Sequence, residues 1–127
     1  MTAAKHIQGI LTISNPEKMD GRIRDTILRA AVNHGLGLVI KEIRKDGVIE
    51  INSYSTAFGS SSAALDTIDR FISIINEPGV AELRLSGTLM VTVISDSEPV
   101  TVRLTVERGV FTVEEATLTW KQNNEVF

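Results

Sequence analysis

The sequence predicts an α+β fold: a two-layer sandwich in which a six-stranded, mainly antiparallel sheet carries two helices on one face, in the order β-α-β-β-α-β-β-β. Three observations predict it. Two segments repeat apolar residues at helical spacing, and the other ordered stretches are rich in β-branched residues that alternate with polar ones. The strand-like stretches of the last third also follow one another through short turns, which suits antiparallel neighbours. Two amphipathic helices need a sheet to cover, and one helix layer on one face buries both stripes most simply. The 127 residues fit one domain, residues 1–127, with 121–127 read as a loose C-terminal tail.

The first strand is His6 to Ile13, with Ile7, Leu11 and Ile13 on one face; Ile10 breaks the alternation. Ser14-Asn15-Pro16-Glu17 then offers a capping oxygen, a proline suited to a first helical turn and an early carboxylate. The helix that follows runs to about His34, with Ile23, Ile27, Ala30, Ala31 and His34 or Leu28 as its apolar stripe and Gly35 as its stop. Leu36–Arg44 and Val48–Ser55 form a hairpin through Lys45-Asp46-Gly47. Cross-strand chemistry favours a register with Ile43 opposite Val48, Ile40 opposite Ile51 and Lys41 opposite Glu50. Gly59-Ser60-Ser61-Ser62 opens the second helix, whose stripe is Ala64, Leu65, Ile68, Phe71, Ile72 and Ile75, and Asn76-Glu77-Pro78-Gly79 ends it.

The last third is a three-stranded meander. Leu83, Leu85, Leu89, Val91 and Val93 alternate with polar residues, as do Val100, Val102, Leu104 and Val106. Asp96–Pro99 and Arg108-Gly109 are the turns. In the last strand Phe111 and Val113 lie on odd positions and Ala116, Leu118 and Trp120 on even ones, which calls for a β-bulge at Glu114-Glu115. Helix followed by hairpin thus occurs twice, over 15–55 and 61–107, without residue-level self-similarity. This order of helix, hairpin, helix and meander resembles the roadblock or profilin-like type of fold, although that fold's closing helix and any diagnostic motif are missing. Likeness of fold carries no function.

The absence of Cys excludes disulfides, thiolate metal sites and cysteine nucleophiles. The net charge of −3 disfavours nucleic acid as a partner. Charge is uneven: residues 1–63 carry eight basic and six acidic groups (+2), residues 64–127 five and ten (−5). No apolar run resembles a signal peptide or a membrane span, so the expected location is cytoplasmic.

The motifs point away from catalysis. His6 and His34 lack a ligand partner at metal-binding spacing, and His34 is read as meeting the carbonyl end of its helix. Gly35-Leu36-Gly37 ends a helix where a dinucleotide fingerprint would open one. Glu107, Glu114 and Glu115 sit among threonines on a wet face, where Arg103 pairs with Glu114, so they read as solvated groups rather than acids or bases. No catalytic residue, metal or cofactor is assigned.

One feature resists the reading of a plain monomer. In the expected register Val39, Ile43, Val48 and Tyr54 face away from the helices, and covering them would contribute about 5–10 kcal/mol gross. The sequence therefore leads to a non-enzymatic interaction or regulatory module that homo-oligomerises, most simply as a two-fold dimer, through the face of hairpin 38–54. The alternative is a small-ligand or anion sensor using Ser60, Ser61 and Ser62 at a helix N-terminus, where backbone N–H groups point outward.

Overall fold

A computed structural model of the chain describes residues 2–14, 21–58, 62–94 and 99–117. The elements are β1 (Thr2–Thr12), α1 (Gly21–Asn33), β2 (Ile40–Ile43), β3 (Val48–Phe58), α2 (Ser62–Ile75), α3 (Pro78–Ala81), β4 (Ser86–Ile94), β5 (Val100–Glu107) and β6 (Val110–Thr117). The six strands form one antiparallel sheet in the order β2-β3-β1-β4-β5-β6. This is the expected α+β sandwich with one addition, the single turn α3. Pro78 opens that turn, because a proline suits the first helical position even as it ends the helix before it.

The apolar alternation decides which side of each strand meets the helices. Ile7 and Leu11 of β1, Ile49 and Ile51 of β3, Leu89, Val91 and Val93 of β4, and the four apolar residues from Val100 to Val106 of β5 are all buried on that side. Ile27, Ala30 and Ala31 of α1 close over them, as do Ala64, Ile68, Phe71, Ile74 and Ile75 of α2 and Val80 of α3. Leu65, expected in the α2 stripe, is instead exposed. The proposed helix start at 15–17 and the turn at 96–98 lie outside the described residues, as do Leu118, Trp120 and the tail 121–127.

β1 and β4 approach unusually closely. A Cβ on Gly9 would stand 2.3 Å from the Thr88 carbonyl oxygen and 2.6 Å from Leu89 Cδ2. One on Gly87, where φ is +149°, would stand 2.1 Å from the Ile10 carbonyl oxygen. Only glycine fits either position.

The hairpin register is half as expected. Ile40 does oppose Ile51, but Glu42 opposes Glu50 and Ile43 opposes Ile49, with a register shift between Ile40 and Glu42. Lys41 is the extra residue of a β-bulge. In an unbroken strand Ile40 and Ile43 would face opposite ways; the bulge turns both toward the helices. Burying a second isoleucine, at about 2 kcal/mol, outweighs the disturbed ladder and the Lys41–Glu50 attraction that the expected register offered.

No bulge occurs in β6. Its pairing with β5 runs unbroken from Glu107↔Val110 to Val100↔Thr117, so Ala116 shares a side with Glu114 and not with Val113. The Arg108-Gly109 turn, with φ of +49° and +82°, has the type I′ form that fixes a two-residue hairpin. The pressure to realign the apolar residues is absent because α2 lies over β4 and β5, and Val113 remains 44% exposed.

The repeat expected as helix-then-hairpin has a different phase. β1 and β2 are parallel with β3 between them, and β3 and β4 are parallel with β1 between them. That is the β-α-β-β-α-β, split-βαβ arrangement called ferredoxin-like. An approximate two-fold axis between Ile7 and Ser53 exchanges β1 with β3, each 11 residues long, and β2 with β4. The two hairpins are not equivalent: β2-β3 meets the central strand β1 through its second member, β4-β5 through its first.

Candidate functional site

The four residues expected to form an interface do not share a surface. Val39 and Ile43 are 8% and 7% exposed and belong to the core. Ile43 is carried there by the bulge at Lys41. Val39 precedes β2 in a turn, where its N–H donates to the Leu36 carbonyl at 3.1 Å and its carbonyl accepts the Asn52 N–H at 3.4 Å. Val48 is half-buried and Tyr54 is 71% exposed, both on the sheet face opposite the helices. The hairpin patch therefore splits in two. Ser60 and Ser61 lie outside the described residues; Ser62 opens α2.

Among the described residues nothing covers the face opposite the helices. It is built from alternate positions of five strands: His6, Gln8 and Ile10 of β1; Glu50, Asn52 and Tyr54 of β3; Thr88, Met90, Thr92 and Ile94 of β4; Thr101, Arg103 and Thr105 of β5; Val110, Thr112 and Glu114 of β6. His6 ties β1 to β3, with Nε2 3.2 Å from Asn52 Oδ1 and its ring 5.8 Å from that of Tyr54 at a 51° tilt. Thr92 and Thr101 hydroxyls meet at 3.0 Å across β4 and β5. Arg103 Nη2 donates to Glu114 Oε1 at 2.7 Å, the ion pair expected from the sequence, with both side chains about half exposed. The threonines fit the half-wet surface on which strand propensity favours them.

A broad depression of about 410 Å³ lies on this face between Gln8 and Ile10, Glu50 and Asn52, and Met90. It lies open to solvent, whereas ligand sites enclose most of their occupant. Glu107, Glu114 and Glu115 are dispersed over exposed positions of β5 and β6. No group of three His, Asp or Glu side chains among the described residues could hold a metal ion. No helix among them is long and apolar enough to cross a membrane.

On the helix side Lys5 reaches α2, its ammonium 3.5 Å from Thr67 Oγ1. His34 does not simply meet its own helix carbonyls. Its Nε2 lies 3.0 Å from Glu77 Oε1, joining the end of α1 to the start of α3. Sequence reasoning missed this contact because it missed α3.

Uncovered apolar groups on this sheet are Ile10 at 55%, Tyr54 at 71%, Ile94 at 47%, Val110 at 69% and Val113 at 44% exposure. What the arrangement offers is therefore a broad, mildly apolar surface and a strand edge. No protein-family model matches the chain, and neither a curated protein nor a solved structure matches it.

Proposed function

We propose that the chain is a non-enzymatic protein-interaction module that self-associates through the uncovered part of its sheet. The observation that carries this reading is that the described elements leave one whole face and the β6 edge of a six-stranded sheet bare. Six strands about 4.8 Å apart and about eight residues long give that face roughly 700 Å², close to the ~800 Å² per partner of an ordinary stable interface. The dispersal of the carboxylates over exposed strand positions favours binding over acid–base chemistry.

Light scattering over a concentration series from micromolar to about 1 mM tests the reading. The mass is expected to rise from 13.9 kDa toward twice that value. A mass fixed at one chain throughout the series would remove self-association and leave only a heterologous partner.

A further inference from the structure

We propose that β6 is the contact, and that two copies add their β6 strands edge to edge, antiparallel about a two-fold axis at Val113, to form one continuous sheet. This rests on the self-association reading above and narrows it to one surface and one register.

The two ends of the sheet differ in how they are guarded. β2 has four residues, a bulge at Lys41, and Lys41, Glu42, Arg44 and Lys45 in or beside it. Shortness, bulges and charge, lysine above all, are the devices that keep an edge from pairing. β6 has eight residues, an unbroken register, no proline and no lysine, and its two charges are Glu114 and Glu115. It exposes Val110 on one face and Val113 on the other. An edge of that kind is a template for another strand.

The hairpin turn sets which backbone groups are available. A two-residue type I′ turn closes on a hydrogen-bonded pair, here Glu107 and Val110. Thr112, Glu114 and Ala116 then direct their N–H and C=O groups toward β5, while Phe111, Val113 and Glu115 direct theirs outward.

The partner strand that fits best is β6 itself. A two-fold normal to the sheet keeps the faces aligned, so a residue must oppose another of the same side. Centring the pair on Val113 sets Val110 against Ala116, Phe111 against Glu115 and Thr112 against Glu114, and uses Val110 to Ala116 in full. Centring on Glu114 would set two carboxylates directly opposite, which is destabilising. Centring on Thr112 would leave residues 115–117 of the strand unpaired. Only the Val113 register combines full pairing with no like charges opposed.

The test is a charge exchange on the axis. Val113→Lys and Val113→Glu each place like charges opposite one another in a homodimer and should weaken association by about tenfold; an equimolar mixture of the two should regain it as a heterodimer. Tyr54→Ser should leave association unchanged. Circular dichroism checks that each variant folds. Retention of wild-type association by Val113→Lys, or a mixture that does not recover, overturns the proposal. Loss of association in Tyr54→Ser alone would place the contact on the open face, sinking the edge proposal while self-association stands; no association of the wild type sinks both. A variant-free measurement decides the case in which the substitutions unfold the chain. Amide exchange of the wild type should slow at Val113 and Glu115 as concentration rises, and protection there at high dilution would mean that the chain covers its own edge and would overturn the proposal.

Discussion

Gly9 and Gly87 show how much can hang on an absent methyl. The obstacle at Gly9 is a backbone oxygen 2.3 Å from the Cβ position, which no rotamer change relieves. Gly9→Ala should cost about 3 kcal/mol, at the upper end for overpacking. At Gly109 nothing lies within 4 Å and only the left-handed φ of +82° is strained, so Gly109→Ala should cost about 1 kcal/mol. Urea denaturation of the two variants checks the ratio; equal losses would mean that conformation, and not the β1–β4 approach, is what the glycines serve. Phe71, 2% exposed at the centre of the α2 stripe, should lose about 4 kcal/mol on truncation to alanine. The burial of Phe71 was legible in its helical spacing. The demand at Gly9 was not, because the atoms that crowd it belong to a strand some 80 residues further along.

Among the elements, β2 shows where alternation misleads. Counting by twos sends Ile40 and Ile43 to opposite faces, and the interface read from Val39, Ile43, Val48 and Tyr54 followed from that count. A single inserted residue reverses it. The hairpin, its turn and the Ile40–Ile51 pair were readable because Gly47 and the β-branched runs act locally. The bulge was not, since what selects it is the position of α1 across the fold. Its cost is visible in Glu42 and Glu50, which now stand opposite one another. Glu42→Lys should therefore raise stability by about 0.5 kcal/mol at low ionic strength, and the gain should fade at about 1 M salt as the charges are screened. Urea midpoints at the two salt concentrations check this; a gain indifferent to salt would point to a cause other than the opposed carboxylates.

For the whole molecule, the uneven charge along the chain acquires a spatial meaning. Residues 40–46 at the β2 edge carry +1 (Lys41, Arg44 and Lys45 against Glu42 and Asp46) and β6 carries −2 (Glu114 and Glu115), so the sheet is polarised from the β2 edge toward the β6 edge. The sequence displayed that asymmetry but not its direction in space, because strand order arises from the two crossovers that set β1 in the middle. A head-to-tail contact would join the β6 edge of one copy to the β2 edge of the next, opposite in sign, and would weaken with salt. A two-fold contact at β6 instead brings two acidic edges, each with Glu114 and Glu115, together against their mutual repulsion. Screening then favours it: raising ionic strength from about 0.02 to 0.5 M shortens the Debye length from roughly 20 Å to about 4 Å and should tighten self-association several-fold. Sedimentation at the two ionic strengths separates the cases by sign alone. Tightening accords with the two-fold edge, whereas loosening would mean that opposite ends of the sheet attract and that the assembly grows as an open chain of copies.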